Sequence, residues 1–402
     1  MNKLISVKEA ESIILNQPWI SEPVSISAEN AAGSLLAETL SADRDLPPFD
    51  RVMMDGIAIN SAAFKSGQRR FQIYFTLAAG MEPVALSDSS MCVEIMTGAV
   101  LPLGCDAVIR YEDLEIKDGF ASILVDTLEP GQNIHSKGFD KKRGDVLVSH
   151  SQKFRAAESG IAASIGRNFV LVKNIPRVAI ISTGDELVEV HQQPKDWQIR
   201  RSNAPALNTL LQTLRISAEN FHLADNRESI LNFFKTQQEN FDCFLFSGGV
   251  SKGKFDYLPG CFEESGFQIH LHGVKQRPGK PFLFASKNNR FIFGFPGNPV
   301  STLVCALRYF IPWLKTSMGA LPSALYAKLN SDVEFKPGLS YFLEVQLECD
   351  QNAQLIATPI KGHGSGDLAN LSRVSGFLEL PEDRVIFKSG EVFSYWPIAS
   401  YE

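Results

Sequence analysis

Three times between residues 178 and 305 a short apolar run ends in a glycine-bearing polar turn and gives way to a helical pattern. Residues 178–182 (VAIIS) pass into TGDELV, residues 241–246 (FDCFLF) into SGGVSKG, and residues 291–294 (FIFG) into FPGNPVS. Apolar runs of this length are strands covered on both faces, and strands that alternate with helices make a largely parallel α/β sheet. Residues 203–215 and 228–239 read as two of the helices, the first with Asn203 as its candidate cap. In such sheets ligands bind beyond the carboxyl ends of the strands. All three polar turns follow strand ends, so they are the first place to look for a site.

The rest of the chain divides around this sheet. At roughly 100–200 residues per domain, 402 residues predict two to four domains. Residues 1–50 and 141–175 read as a discontinuous helical, linking domain. Residues 51–140 carry short strand-like runs (GIAIN, FQIYFTLAAG, CVEIM, AVIRY, ASILV) punctuated by glycine, proline and aspartate, and so read as an inserted β-rich domain. DVLV, at 145–148, follows in the same style, and residues 154–166 read as a helix that ends at glycine. Residues 176–317 are the α/β domain, and 318–402 a small C-terminal β domain. The fold class is therefore multidomain, α/β plus β.

The N-terminal sixteen residues place Leu4, Val7, Ile13 and Ile14 on or near one side of a helix, with Glu9 and Glu11 where a signal peptide needs an apolar run. The longest apolar stretch, 300–314, contains Arg308 and Pro312 and is shorter than the roughly 20 residues that cross a bilayer. A soluble, cytoplasmic protein without membrane contact is expected. The 39 Lys and Arg against 45 Asp and Glu give a net charge of -6, which argues against a general nucleic-acid binder but allows a local cationic pocket. Six cysteines with no CxxC fit reduced, mostly buried thiols rather than a zinc knuckle or a disulfide framework. His270 and His272 share a strand face, but no third ligand lies near them, so they read as ordinary strand residues.

The polar turns carry chemistry suited to anions. In SGGVSKGKFDY (247–257) the paired Gly248 and Gly249 let backbone N–H groups approach an anion, and Ser247 and Ser251 add hydroxyls. Lys252 and Lys254 add charge, and Asp256 stands where a metal or ligand hydroxyl could be held. Lys275, Arg277 and Lys280 fall within six residues, and Pro278, Gly279 and Pro281 restrict the chain around them, which suits an oxyanion better than a run of mobile lysines does. In FPGNPVS, Asn298 caps a helix that begins at Pro299, and Gly297 precedes it. Asp185 and Glu186 follow the first strand, while Asp55 and Asp140 lie in the N-terminal half. Carboxylates near phosphates suggest Mg²⁺, although a single aspartate beside glycine is also a turn former.

Taken in order, these stretches resemble the MoeA family, the molybdopterin molybdenumtransferases, whose relatives include the C-terminal part of gephyrin. The resemblance runs through PPFDRVMMDGIA (47–58), IMTGAVLPLGCDAVI (95–109), GQNIHSKGFD (131–140), VAIISTGDELV (178–188), QIRRSN (198–203), SGGVSKGKFDY, RPGKP (277–281), FPGNPVS and GSGDL (364–368). It implies a homodimer of four-domain subunits, with a MogA-like molybdopterin-binding α/β domain and a C-terminal β-barrel. It implies insertion of molybdate into the dithiolene of adenylylated molybdopterin, with release of AMP and Mg²⁺ as the metal. Contact with the adenylyltransferase or with recipient molybdoenzymes would follow. By motif, Asp55, Thr97, Asp140, Glu186, Asp256 and Lys280 match functional positions, and Asp225 in LADNRES joins Asp185, Glu186 and Asp256 as a metal ligand. Arg277, Lys280 and Arg373 would hold molybdate, with Ser365 nearby. Ser247, Gly248, Gly249, Ser251, Pro281, Gly297 and Asn298 would complete the substrate cradle. Asp55, Thr97 and Asp140 would reach in from the N-terminal half.

The chain departs from the family at several of these places. His135 stands for a frequent arginine and would meet an anion as a cation only near or below pH ~6.5. Arg201 replaces a usual aspartate, Lys252 a small apolar residue, Arg277 a lysine and Ser375 an asparagine. Two alternative functions keep the same fold: a molybdopterin adenylyltransferase, and a non-catalytic scaffold.

Overall fold

The computed structural model describes residues 4–251, 257–320 and 324–398, and the chain forms two compact units. One combines Met1–Val24 with Lys173–Glu402; the other is Ser25–Val172.

The first unit opens with helix α1 (Val7–Leu15). Ser6 caps it reciprocally with Glu9: the serine hydroxyl accepts the Glu9 N–H at 3.2 Å, and the Glu9 carboxylate accepts the Ser6 N–H at 2.7 Å. Val7, Ala10 and Ile14 then face one way and are buried in the core of the α/β domain. This corrects the expected grouping of residues 1–50. An apolar helix face needs cover, and here it is found against the later helices, where Trp313 Nε1 donates to the Gln17 carbonyl at 2.7 Å.

The α/β sheet has six strands: β1 (Val178–Thr183), β2 (Ala218–Leu223), β3 (Cys243–Ser247), β4 (Gln268–His272), β5 (Leu283–Lys287) and β6 (Arg290–Phe295). Their spatial order is β2-β1-β3-β6-β5-β4. The first four run parallel, whereas β5 is antiparallel to both β6 and β4. The three apolar runs singled out in the sequence are the adjacent central strands β1, β3 and β6, and every residue of β1 and β3 is buried. The edge strand β2 escaped the sequence reading because its residues are half-buried or exposed and half of them are polar. Helices α2 (Asn203–Thr213), α3 (Arg227–Gln237), α4 (Leu258–Glu264), α5 (Pro299–Cys305) and α6 (Ile311–Ser317) complete the domain. Between α5 and α6 residues Ala306–Phe310 form a π-helical turn. Pro312 follows it, without the N–H that an α-helix would use there.

The chain's connection runs from β1 outward to β2 and then back across β1 to β3. The connections therefore diverge between β1 and β3, and a crevice opens at their carboxyl ends.

After α6 come β7 (Leu325–Leu329), β8 (Ser340–Cys349), β9 (Leu355–Pro359), β10 (Gly376–Leu380) and β11 (Val392–Pro397). They pair as β8-β9-β7-β11-β10 and close through β10 to β8, a five-stranded barrel. The barrel is tied directly to the loop after β4. Gln276 and Arg277 pair in parallel with Ser340 and Tyr341 at the start of β8, and the Ser340 N–H donates to the Lys275 carbonyl at 3.0 Å.

In the second unit, six strands order as 107–110, 56–59, 91–95, 70–77, 120–123 and 114–117, which makes the expected β-rich insertion a single sheet. The helix expected at 154–166 is Ala156–Ser164.

The described cysteines are all unpaired, five buried and Cys349 exposed. His270 and His272 are strand residues whose Nε2 atoms meet the Ser286 hydroxyl at 2.7 Å and the Val250 carbonyl at 2.8 Å. No helix among the described residues is long and apolar enough to cross a membrane.

Candidate functional site

A cavity of about 770 Å³ occupies the crevice between β1 and β3. Ser182 and Thr183 end β1, Ser247 ends β3, and the turns after them bring Glu186, Gly248, Gly249, exposed Ser251, Gly297 and Asn298 to its wall. Gly248 has φ +99°, and a Cβ there would stand 2.8 Å from the Thr183 carbonyl, so only glycine lets the two strand ends come this close. Asn203, at the start of α2, spans the gap: its Nδ2 donates to the Ser247 hydroxyl and to the Gly297 carbonyl, both at 2.7 Å. In the sequence Asn203 looked like a helix cap; it joins the second and third polar turns instead.

Two buried polar atoms in this wall have no hydrogen-bond partner among the described residues, Thr183 Oγ1 and Arg201 Nε. Buried polar groups are nearly always satisfied, and an orphan that lines a cavity points to a ligand. Arg201 also forms an ion pair with Glu189, so the cation added at this departure from the family is partly neutralised by the protein itself.

A second cavity, of about 660 Å³, lies between the sheet domain and the barrel. The 276–281 loop forms one wall, and Tyr341, Phe342, Glu344 and the 362–366 segment the other. Both Arg277 and Lys280 are exposed to the cavity, and neither has an ion-pair partner among the described residues. The loop that carries them is locked from beneath. Gln276 is fully buried, donates to the Pro278 carbonyl at 2.9 Å and accepts from the buried Tyr309 hydroxyl. Gly279 has φ +93°, and a Cβ there would stand 2.6 Å from both Cys305 Sγ and Gln276 Nε2. The two cations are thus preset on a rigid turn, the arrangement that favours an oxyanion.

The cavities share Pro281, Pro296, Asn298 and Gly366 as common wall. Asn298 stands at the N-terminus of α5 but makes no side-chain cap, a correction to its expected role. Its Nδ2 donates to the Ser365 hydroxyl at 2.8 Å, and the Val300 N–H donates to the Ser365 carbonyl at 3.1 Å. The side chain is drawn away from the helix end to hold the barrel-side loop.

Glu186 and Asp225 line the first cavity. Asp185 does not; its carboxylate accepts the Asp225 N–H at 3.2 Å and so positions that residue. Among the described residues no group of three or more His, Cys, Asp or Glu could hold a metal. Two carboxylates at a cavity edge still match what Mg²⁺ takes from a protein when substrate phosphates and water supply the remaining ligands. Asp256 and Lys252 lie outside the described residues. Arg373 lines neither cavity and instead donates to Asn370 Oδ1 at 3.2 Å, while the Ser375 hydroxyl accepts the Leu347 N–H at 3.0 Å.

In the second unit the loops that carry Asp55, Thr97 and Asp140 are laced together. The Val52 N–H donates to the Ala99 carbonyl at 3.0 Å, Met53 to Asn133 at 3.0 Å, and the Lys137 N–H to the Asp50 carboxylate at 2.8 Å. The Asp55 carboxylate accepts both the N–H of Thr97, at 2.6 Å, and its hydroxyl, at 2.8 Å. These bonds, the backbone one first, hold its pKa below the usual carboxylate value. His135 lies between Arg51, 3.1 Å from Nδ1, and Asp140, 2.9 Å from Nε2. A guanidinium can only donate, so the geometry suits the tautomer in which Nδ1 accepts from Arg51 and Nε2–H donates to Asp140. The sequence pointed to Asp55, Thr97 and Asp140 through their motifs; Arg51 stands in the same stretch as Asp55, PPFDRVMMDGIA, but was not singled out there.

Comparison with known proteins agrees along the whole length. Residues 5–166 match the MoeA N-terminal region (domain I and II), 179–316 a probable molybdopterin binding domain, and 326–398 the MoeA C-terminal region (domain IV). A molybdopterin molybdenumtransferase from Synechocystis is 40% identical over 98% of this chain and 100% of its own, and one from Staphylococcus aureus is 30% identical over 96% and 94%. The crystal structure of a molybdopterin biosynthesis MoeA protein from Pyrococcus horikosii superposes with a TM-score of 0.87 at 27% identity, over 99% of this chain and 100% of that one.

Proposed function

The chain belongs to the MoeA family of molybdopterin molybdenumtransferases, and from that premise we propose that it inserts molybdenum from molybdate into the dithiolene of molybdopterin, a step of molybdenum-cofactor biosynthesis. The observation that carries the proposal is the pair of abutting cavities with a common wall at Pro281, Pro296 and Asn298. One offers hydroxyls, backbone N–H groups and two carboxylates; the other offers two cations with no ion-pair partner among the described residues. A reaction that joins a phosphate-bearing pterin to a metal oxyanion needs both, side by side.

In this reading the first cavity takes adenylylated molybdopterin. Thr183, Ser247 and the Gly248–Gly249 turn meet its phosphate groups, and Asn203 keeps the rim open. Glu186 and Asp225 would hold Mg²⁺, with Asp256 as a further candidate. When bound, Mg²⁺ would neutralise phosphate charge as the adenylate is hydrolysed and AMP leaves. Arg277 and Lys280 bind molybdate in the second cavity with Ser365 beside them, which brings the oxyanion next to the dithiolene instead of leaving the encounter to diffusion. The protein acts as a cytoplasmic homodimer.

The test is reconstitution. Purified protein given adenylylated molybdopterin, Mg²⁺ and molybdate should release AMP and activate a cofactor-free molybdoenzyme, and omission of molybdate should abolish activation. Formation of adenylylated product from molybdopterin and ATP, with no activation, would instead identify an adenylyltransferase.

A further inference from the structure

The cation-lined cavity also contains a carboxylate. Along β8, Leu343 and Val345 fill the barrel core, while Phe342 turns the other way and is buried against the sheet domain. Glu344 shares the Phe342 face by strand alternation, and so reaches the cavity wall opposite the 276–281 loop. It is half-buried and has no ion-pair partner among the described residues. One oxygen accepts from Asn370 Nδ2; the Asn370 carbonyl is in turn occupied by Arg373. Asn370 is itself only 7% exposed, so the carboxylate is anchored in place.

The groups around it set its charge. Burial raises its proton affinity, the Asn370 bond opposes that, and the Asp367 carboxylate adds to the rise. Asp367 and His363 belong to the 360–370 loop, where His363 Nδ1 meets the Asp367 carboxylate at 3.0 Å. Tyr341 on β8 and the cations Arg277 and Lys280 on the opposite loop complete the charged and titratable surroundings.

An ionised Glu344 would repel a dianion in the same cavity, whereas a protonated one would donate a hydrogen bond to it. We propose that Glu344 receives the oxyanion in its protonated form, so that capture of molybdate takes up one proton from solvent. No covalent bond changes in this step: a proton moves from water to the Glu344 carboxylate as the dianion enters. The inference rests on the molybdate reading of this cavity and adds to it a pH dependence and a residue that sets it.

Calorimetric titration of molybdate into the intact protein, in buffers of different ionisation enthalpy between pH 6.5 and about 8.5, counts the protons taken up. The expected result is uptake approaching one proton in the upper part of the range, with affinity that falls by about tenfold per pH unit there. Glu344→Gln keeps an uncharged donor, and should bind with no uptake and a flat pH profile. His363→Gln should retain the uptake. Binding without proton uptake in the wild-type protein, or uptake that survives in Glu344→Gln and vanishes in His363→Gln, would overturn the role of Glu344 while leaving the cavity as the oxyanion site. Absence of molybdate binding at every pH would overturn the oxyanion site itself, and the inference with it.

Discussion

The two cavities at the rim of the sheet are built by different means. The first belongs to the sheet alone: it exists because connections diverge between β1 and β3, and its wall consists of strand ends, glycine turns and the Asn203 side chain. The second exists only because a barrel is stitched to the sheet domain through Gln276, Arg277 and the start of β8. A site of the first kind is inherent in the fold class. A site of the second kind must be held together by packing and charge between domains, and so depends on residues far from its ligand.

The largest expected effect exploits that difference. Arg308, 4% exposed, joins α1 to the barrel by pairing with Glu11 at 2.8 Å and Glu379 at 2.8 Å, and it packs over Trp396. Arg308→Ala would leave two carboxylates without their cation and should cost about 3–5 kcal/mol. Thermal unfolding should show a lowered midpoint, and in the surviving fold molybdate binding should suffer more than pterin binding. Equal loss at both would mean the two cavities are one mechanical unit.

Next in size is Lys280→Ala. Loss of a charge-assisted contact should weaken molybdate by roughly ten- to hundredfold, with pterin affinity unchanged; titration of each ligand separately distinguishes the two. Asn203→Ala is the converse. It removes the donor shared by Ser247 and Gly297 and should cost about 1–2 kcal/mol, read as a raised KM for the pterin substrate at constant molybdate affinity. The smallest effect is expected in the second unit. Thr97→Val removes the hydroxyl donor to Asp55, whose folded pKa is depressed. The stabilisation is present above the unfolded pKa and is lost as pH falls through the folded one. The stability difference between wild type and variant should therefore exist at neutral pH and shrink in acid, as chemical denaturation at several pH values would record.

Much of the first cavity was legible in the sequence, since apolar runs that end in glycine-bearing turns announce parallel strands and the rim where ligands bind. The cations of the second cavity were legible too, as Arg277 and Lys280 on a proline-restricted loop. Its opposite wall was not. Glu344 lies in an alternating barrel strand, and its place at the cavity depends on how Ser340 and Tyr341 register with Gln276 and Arg277, a contact 64 residues apart in the chain. The same reason explains the Asn298 side chain. Asn298 had the ideal position for a helix cap, but Ser365, brought near by folding, engages its side chain instead. Helix α1 had a clear apolar face, yet nothing local said which domain would cover it.

The central claim is that the cavity between sheet and barrel is where molybdate sits, and anomalous scattering tests it most directly. In crystals of the intact protein soaked with molybdate, data collected at the molybdenum edge should give a peak within reach of Arg277, Lys280 and Ser365. A fully occupied peak elsewhere, with that cavity empty, would contradict the account.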